Sequence, residues 1–196
     1  MDILINGNKI DYTIEKEKNL GEILGAIESL CEESGMTITG IRVDGSTFEA
    51  DTLDPLFARD PSGISTIELD TINSQDIIGM LRDFGNRMSG FVPQLKEIPV
   101  QLQTGKDMTV LETIHRFSLD LQGLYQVLPL IPLAGLPGES SAVDGIPFGE
   151  YPSELAPVLS ELIKALEIKD TVLAGDLSEY ELAPRIERLG MALSAV

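Results

Sequence analysis

The chain has 196 residues, of which 43% are hydrophobic, with a net charge of −18 and a single cysteine. Such a length can supply one medium domain or two small ones, each with a proper core. The acidity repels phosphate backbones and anionic lipid, so neither nucleic acid nor a membrane surface is expected as a partner. Cys31 alone excludes an internal disulfide framework and a multi-thiolate metal site.

The charge is not confined to a tail, since residues 1–72 carry 15 acidic against 5 basic side chains and residues 73–196 carry 17 against 9. The opening Met-Asp-Ile-Leu-Ile-Asn-Gly has neither the basic residues nor the apolar run of a signal peptide. No stretch approaches the ~20 apolar residues of a spanning helix. A cytoplasmic protein is the expectation.

Ile3 and Ile5 alternate with polar neighbours and lead into Asn6-Gly7, a dipeptide that tolerates the positive φ of a type I′ hairpin turn. Ile10, Tyr12 and Ile14 continue the alternation as a second strand. A charged turn at Glu15–Lys18 precedes Asn19, which with Glu22 makes a capping-box start for a helix. Leu20, Ile23, Leu24, Ile27, Leu30 and Cys31 follow at helical spacing, with Gly35 placed to end the helix. Ile38, Ile41 and Val43 mark a third strand, bulged near Gly40. It turns at Asp44-Gly45 into Thr47 and Phe48. After a loop containing Pro and Asp residues, Ser65–Ile72 is a last strand.

The Asn6-Gly7 hairpin, the Asn19–Gly35 helix and the Asp44-Gly45 turn follow an order that resembles the β-grasp (ubiquitin-like) fold over residues 1–72. Sulfur carriers of that fold depend on a C-terminal Gly-Gly, and no Gly-Gly occurs in this chain. Its iron–sulfur branch needs several cysteines. The resemblance therefore implies a binding surface or a dimerisation unit.

Beyond residue 72 the pattern becomes helical. Asn73 or Ser74 can cap a helix whose apolar residues, Ile77, Leu81, Phe84, Met88, Phe91 and Leu95, keep a heptad rhythm, with Pro93 and Pro99 limiting its run. Gln101–Lys106 is the turn into a second helix, capped at Asp107 or through Thr109 and Glu112. Its stripe is Val110, Ile114, Phe117, Leu121, Leu124 and Leu128, and Pro129 and Pro132 end or bend it. A Gly- and Pro-rich connection at 133–152 is expected either as a crossover that wraps one end of the bundle or as an arm that docks on a partner or a second protomer. Ile146 and Phe148 have no local element to bury them, and with Tyr151 they are the candidate partner interface. A third helix begins at Pro152 or Ser153, with Leu155, Leu159, Leu162 and Leu166 in its seam. A fourth opens at Asp170 with Val172, Leu173, Leu177, Tyr180 and Leu182, kinks at Pro184, and continues its apolar face through Ile186, Leu189 and Leu193. The fold class is thus α+β, a β-grasp-like domain at 1–72 followed at 73–196 by an antiparallel bundle of about four helices.

Chemistry is sparse. His115, the only histidine, flanks the core after Ile114, and Cys31 lies on the apolar side of its helix. The acidic run Asp44, Glu49, Asp51, Asp54, Asp60 lacks the spacing of a calcium loop. Gly138-Glu139-Ser140-Ser141-Ala142 has no preceding strand to make it a nucleophile elbow. Glu179, Glu181, Arg185 and Arg188 form the densest mixed-charge patch. No catalytic, cofactor or metal residue is assigned. The reading is a non-catalytic cytoplasmic adaptor or assembly module with a protein partner or a homodimer. Its alternatives are a small enzyme or ligand carrier with a pocket between the two modules, and a purely structural homo-oligomer.

Overall fold

A computed structural model describes residues 1–14, 17–49 and 52–196, without the side chains of Glu139 and Ser140. Part of the expected Glu15–Lys18 turn, Asp51 of the acidic run and two side chains of the 138–142 segment fall outside that description. The chain divides into two compact units, Met1–Asp76 and Ile77–Val196.

In the first unit β1 (Asp2–Ile5) and β2 (Asn8–Lys9) form a hairpin about Asn6 and Gly7, whose φ values are 50° and 78°. The second strand is shorter than its alternation suggests. The Ile10 N–H still reaches the Ile3 carbonyl at 2.9 Å, but the strand itself ends at Lys9, and the Tyr12 hydroxyl donates to the Glu17 carboxylate at 2.7 Å. Tyr12 and Ile10 pack on the core from outside the ladder instead. Helix α1 (Leu20–Glu33) starts at the expected cap: Asn19 accepts from the Glu22 N–H at 2.9 Å, and Glu22 reaches back to the Lys18 N–H at 2.7 Å. It ends before Gly35, which sits at φ 68°.

Strand β3 (Met36–Val43) carries the expected bulge, a register shift between Ile38 and Gly40, and turns through Asp44 and Gly45 into β4 (Ser46–Phe48). The following loop contains a short helix, α2 (Leu53–Phe57), that its Pro and Asp content concealed. Its Leu56 is fully buried. Strand β5 (Thr66–Asn73) completes a sheet ordered β2-β1-β5-β3-β4, in which β1 and β5 are parallel and the other pairs antiparallel. Helix α1 lays Leu20, Ile23 and Ile27 against Ile3, Ile67 and Leu69, and all six are at most 3% exposed.

The second unit is almost wholly helical. Helix α3 (Ser74–Gln103) starts in the first unit, where Asn73 and Asp76 cap each other's N–H groups, and runs through both prolines. Each proline removes one hydrogen bond. The continuous burial of Ile77, Leu81, Phe84, Met88, Phe91 and Leu95 holds the helix together across those gaps. In α4 (Asp107–Val127), Val110, Phe117, Leu121 and Leu124 are buried as expected, but Ile114 is only half-buried and Thr113 takes its place. A straight helix drifts about 20° per heptad from a 3.5-residue repeat, enough to hand one position to its neighbour. Phe91 and Phe117 meet edge to face with centroids 5.4 Å apart.

The 133–152 connection is ordered locally. A tight turn at Gly138–Ser141 leads into a small hairpin, β6 (Ala142–Val143) and β7 (Ile146–Pro147), closed by Asp144 and Gly145 at φ 52° and 85°. Helix α5 (Tyr151–Glu167) buries Leu155, Val158, Leu162 and Ala165, so Leu159 and Leu166 sit at the margin of the seam. The last helical run has three parts: α6 (Thr171–Asp176), a π-helical stretch at Leu177–Leu182, and α7 (Ala183–Ser194). The turn is widened just ahead of Pro184, with the Ala183 N–H on the Ser178 carbonyl, so the helical run continues through the proline. Val172 and Tyr180, expected in the seam, are exposed. Among the described residues no helix is long and apolar enough to cross a membrane.

Candidate functional site

Two helix ends in the second unit finish in the same way. At the end of α3 the Lys106 N–H bonds the Gln101 carbonyl at 2.9 Å and the Gly105 N–H bonds that of Leu102 at 3.2 Å, with Gly105 at φ 72°. At the end of α5 the Asp170 N–H bonds the Ala165 carbonyl at 2.9 Å and the Lys169 N–H bonds that of Leu166 at 3.2 Å, with Lys169 at φ 59°. Both are Schellman closures, one on a glycine and one on a lysine. Each passes directly into the next helix, and Asp170 caps α6 by accepting from the Leu173 N–H at 3.0 Å.

Together the two turns enclose a cleft of about 360 Å³ whose walls include Leu102, Leu111, Ala165, Leu166 and Ala174. Asp107, Lys169, Asp170 and Thr171 supply its polar rim. Residues adjoining the lining in sequence are apolar and solvent-facing: Met108 is 69%, Ile168 73% and Val172 71% exposed. Desolvating these side chains against a partner would be favourable at about 25 cal/mol per Å² of apolar surface.

The residues singled out from sequence do not gather at this cleft. Phe148 and Tyr151 are 1% and 4% exposed, set around a narrow crevice with Leu124, Leu128, Leu155 and Leu189. The expectation that nothing local buries the aromatic residues of 133–152 is therefore corrected: the unit's own helices do. Ile146 is half-buried. Tyr151 also donates its hydroxyl to the Arg185 carbonyl at 3.0 Å, and burial pushes that phenol's pKa up. The cleft was missed because its apolar residues lie next to helix ends rather than within a stripe. The i-to-i+1 pairs Asp107-Met108 and Thr171-Val172 were the available signal.

His115 is exposed rather than flanking a core. Cys31 is buried, and desolvation with help from Glu28 raises its thiol pKa, which suits an inert side chain. In the acidic run, Asp44 accepts from the Ser65 and Thr66 N–H groups at 2.9 Å and Asp60 accepts from that of Ser62 at 2.8 Å, so both carboxylates hold loops. Among the described residues no three His, Cys, Asp or Glu side chains stand where they could share a metal ion. Ser141 closes its own turn on the Gly138 carbonyl at 3.1 Å. Across Pro184 the Glu181–Arg185 ion pair does form, because the backbone stays helical there, and Arg188 pairs with Asp144 of the β6–β7 turn at 3.0 Å.

Residues 80–191, which include the whole cleft, match the model of a Domain of unknown function (DUF8042). The chain belongs to that family. Its residues 1–73 match a second model, the TP0873 N-terminal domain. A protein of Treponema pallidum (strain Nichols), described as uncharacterized, is 34% identical over 189 residues, spanning 96% of this chain and 94% of its own length. No solved structure matches. Both parts of the chain therefore recur together, in one order, in this relative.

Proposed function

We propose that the protein is a non-catalytic cytoplasmic adaptor or assembly module that acts through protein–protein contacts. The observation that carries this reading is the apolar cleft between the α3–α4 and α5–α6 turns, with Met108, Leu111, Ile168 and Val172 exposed on the segments that form it. Single exposed apolar residues are ordinary, but several of them on the segments that also form an apolar cleft favour an interface. The sheet order β2-β1-β5-β3-β4, with one helix between its two hairpins, supports a β-grasp (ubiquitin-like) assignment for the first unit. Helices of 30, 21 and 17 residues, the first two joined by a tight turn, support an antiparallel bundle of about four helices for the second. A net charge of −18 disfavours nucleic acid and anionic lipid as partners.

The test is co-purification of the tagged full chain from its native cell, beside an Ile168→Asp/Val172→Asp variant. Both positions are solvent-facing, so the fold should tolerate the change. Loss of a specific partner from the variant supports the proposal, and an unchanged set of partners refutes it. Light scattering on the same pair separates a foreign partner from a second copy of the chain. A ligand carrier is the second reading, favoured by a cleft volume within the ~300–1,000 Å³ of small-molecule sites. A stoichiometric small molecule released on denaturing the native protein would favour the carrier.

A further inference from the structure

The first unit leaves part of its sheet edge open. Strand β4 pairs only with Ile41, Arg42 and Val43 of β3. On that side Met36–Gly40 have no partner strand among the described residues, while on the other side they pair with β5. An unpaired row of N–H and C=O groups is a template for one more strand, and proteins usually blunt it with Lys or Pro. Met36–Gly40 contain neither, and Thr37 and Thr39 are exposed.

Beside that edge lies a groove of about 280 Å³ between α1 and β3, closed at one end by Leu53 and Phe57 of α2. Ile38 and Ile41 both line it. In a regular strand residues three apart point to opposite faces, so it is the bulge between Ile38 and Gly40 that turns both isoleucines into the groove. The facing wall is one stripe of α1: Gly21, Leu24, Gly25 and Glu28. Gly21 is explained by packing, since a Cβ there would stand 2.9 Å from that of Phe57. Gly25 is not, because a Cβ there would meet nothing within 4 Å. Its effect is a groove deeper by one side chain, in a helix that an alanine would favour.

We propose that this edge and groove take an extended peptide segment as an added strand, whose alternate, groove-facing side chains are apolar except for a basic one where the strand passes Glu28. Strand addition joins backbone hydrogen bonds at the edge to a pocket for every second side chain, and both parts are present here. Charge selects the occupant. Glu28 lines the groove with no ion-pair partner among the described residues, and residues 1–76 carry 16 acidic against 5 basic side chains. A second copy of a chain with net charge −18 would be repelled, whereas a lysine- or arginine-bearing strand would be attracted. This site is independent of the helical cleft and stands or falls without it.

The test is selection of random twelve-residue peptides on the full chain, repeated on Gly25→Leu and Glu28→Lys variants. Gly25→Leu fills the groove while improving helix propensity, so its melting temperature should not fall. The expected winners carry apolar residues and one Lys or Arg at positions two apart, on one face of the strand, and move the amide NMR signals of Met36–Gly40. They should lose at least tenfold in affinity for Gly25→Leu, and selection on Glu28→Lys should lose its preference for basic residues. Winners that bind wild type and Gly25→Leu equally, that are acidic, or that move signals around Leu111 and Lys169 instead overturn the proposal, as does selection with no enrichment.

Discussion

Gly85 of α3 and Gly190 of α7 face each other so closely that a Cβ on Gly85 would stand 2.8 Å from the Gly190 carbonyl oxygen. It would also lie 2.7 Å from the Ser194 nitrogen, and a Cβ on Gly190 would lie 3.0 Å from the Ser89 nitrogen. These are backbone atoms and cannot swing aside. Gly85→Ala should therefore destabilise the protein by about 1–3 kcal/mol, the cost of overpacking, despite the better helix propensity of alanine. Gly90 on the same helix has open space around it, so Gly90→Ala should be neutral or stabilising by up to ~1 kcal/mol. Urea unfolding of the two variants checks the contrast.

Lys169 closes α5 in the left-handed conformation at φ 59°, where a Cβ crowds the backbone. Gly105 closes α3 in the same way without that penalty. Lys169→Gly should raise stability by about 0.5–1 kcal/mol. The substitution also strips a cation from the cleft rim, so its binding phenotype and its melting temperature would move in different directions if an acidic partner docks there.

Much of the first unit was legible because its signals are local. Asn6-Gly7, Asp44-Gly45 and the Asn19–Glu22 cap each fix a turn or helix start within four residues, and all three stand where the sequence put them. Asp144-Gly145 is the same signal and closes the β6–β7 hairpin, but the prolines around it drew the segment toward a loop. What stayed illegible depended on three-dimensional neighbours. Pro93 and Pro99 do not stop α3, the π-helical turn before Pro184 has no periodic signature, and nothing in the spacing of Gly85 and Gly190 announces that they touch. The candidate cleft was hidden for a related reason: it is made by two turns about 60 residues apart that share only their closing geometry.

Phe148 illustrates the consequence for mutagenesis. If the 133–151 connection took part in a dimer, as its place in the sequence suggests, Phe148→Ser would shift that dimer toward monomer. At 1% exposure within the unit it should instead cost about 3–5 kcal/mol by emptying a core position, with unfolding at lower urea and no selective change in association. Leu121→Ala, 5% exposed in α4, belongs to the same class at about 2–5 kcal/mol.

Cys31 gives a pH prediction of definite sign. Burial raises the thiol pKa above its unfolded value, so the fold favours the neutral form. The associated stability is fully present below the unfolded pKa and is lost as pH rises through the folded one. Cys31→Ala or Cys31→Val should flatten the alkaline limb of the stability profile. Thiol reagents should label the native protein at neutral pH only as fast as it unfolds.

The first unit should fold when residues 1–76 are expressed alone. Its core is internal: α1 covers Ile3, Ile67 and Leu69 with Leu20, Ile23 and Ile27, and Leu56 closes one end. Cutting after Asp76 keeps the reciprocal Asn73–Asp76 caps at 2.9 and 3.2 Å, so the end of β5 is not left with bare N–H groups. A domain of this size without disulfides is marginal, with a net stability of a few kcal/mol at best. Its excess of acidic side chains lowers that further at low salt. The amide NMR spectrum of the fragment should be dispersed in 0.15 M salt, where the Debye length is about 8 Å, and should broaden or collapse at low ionic strength. A spectrum clustered like an unfolded chain in both conditions would mean that the sheet and helix need the remaining 120 residues to persist.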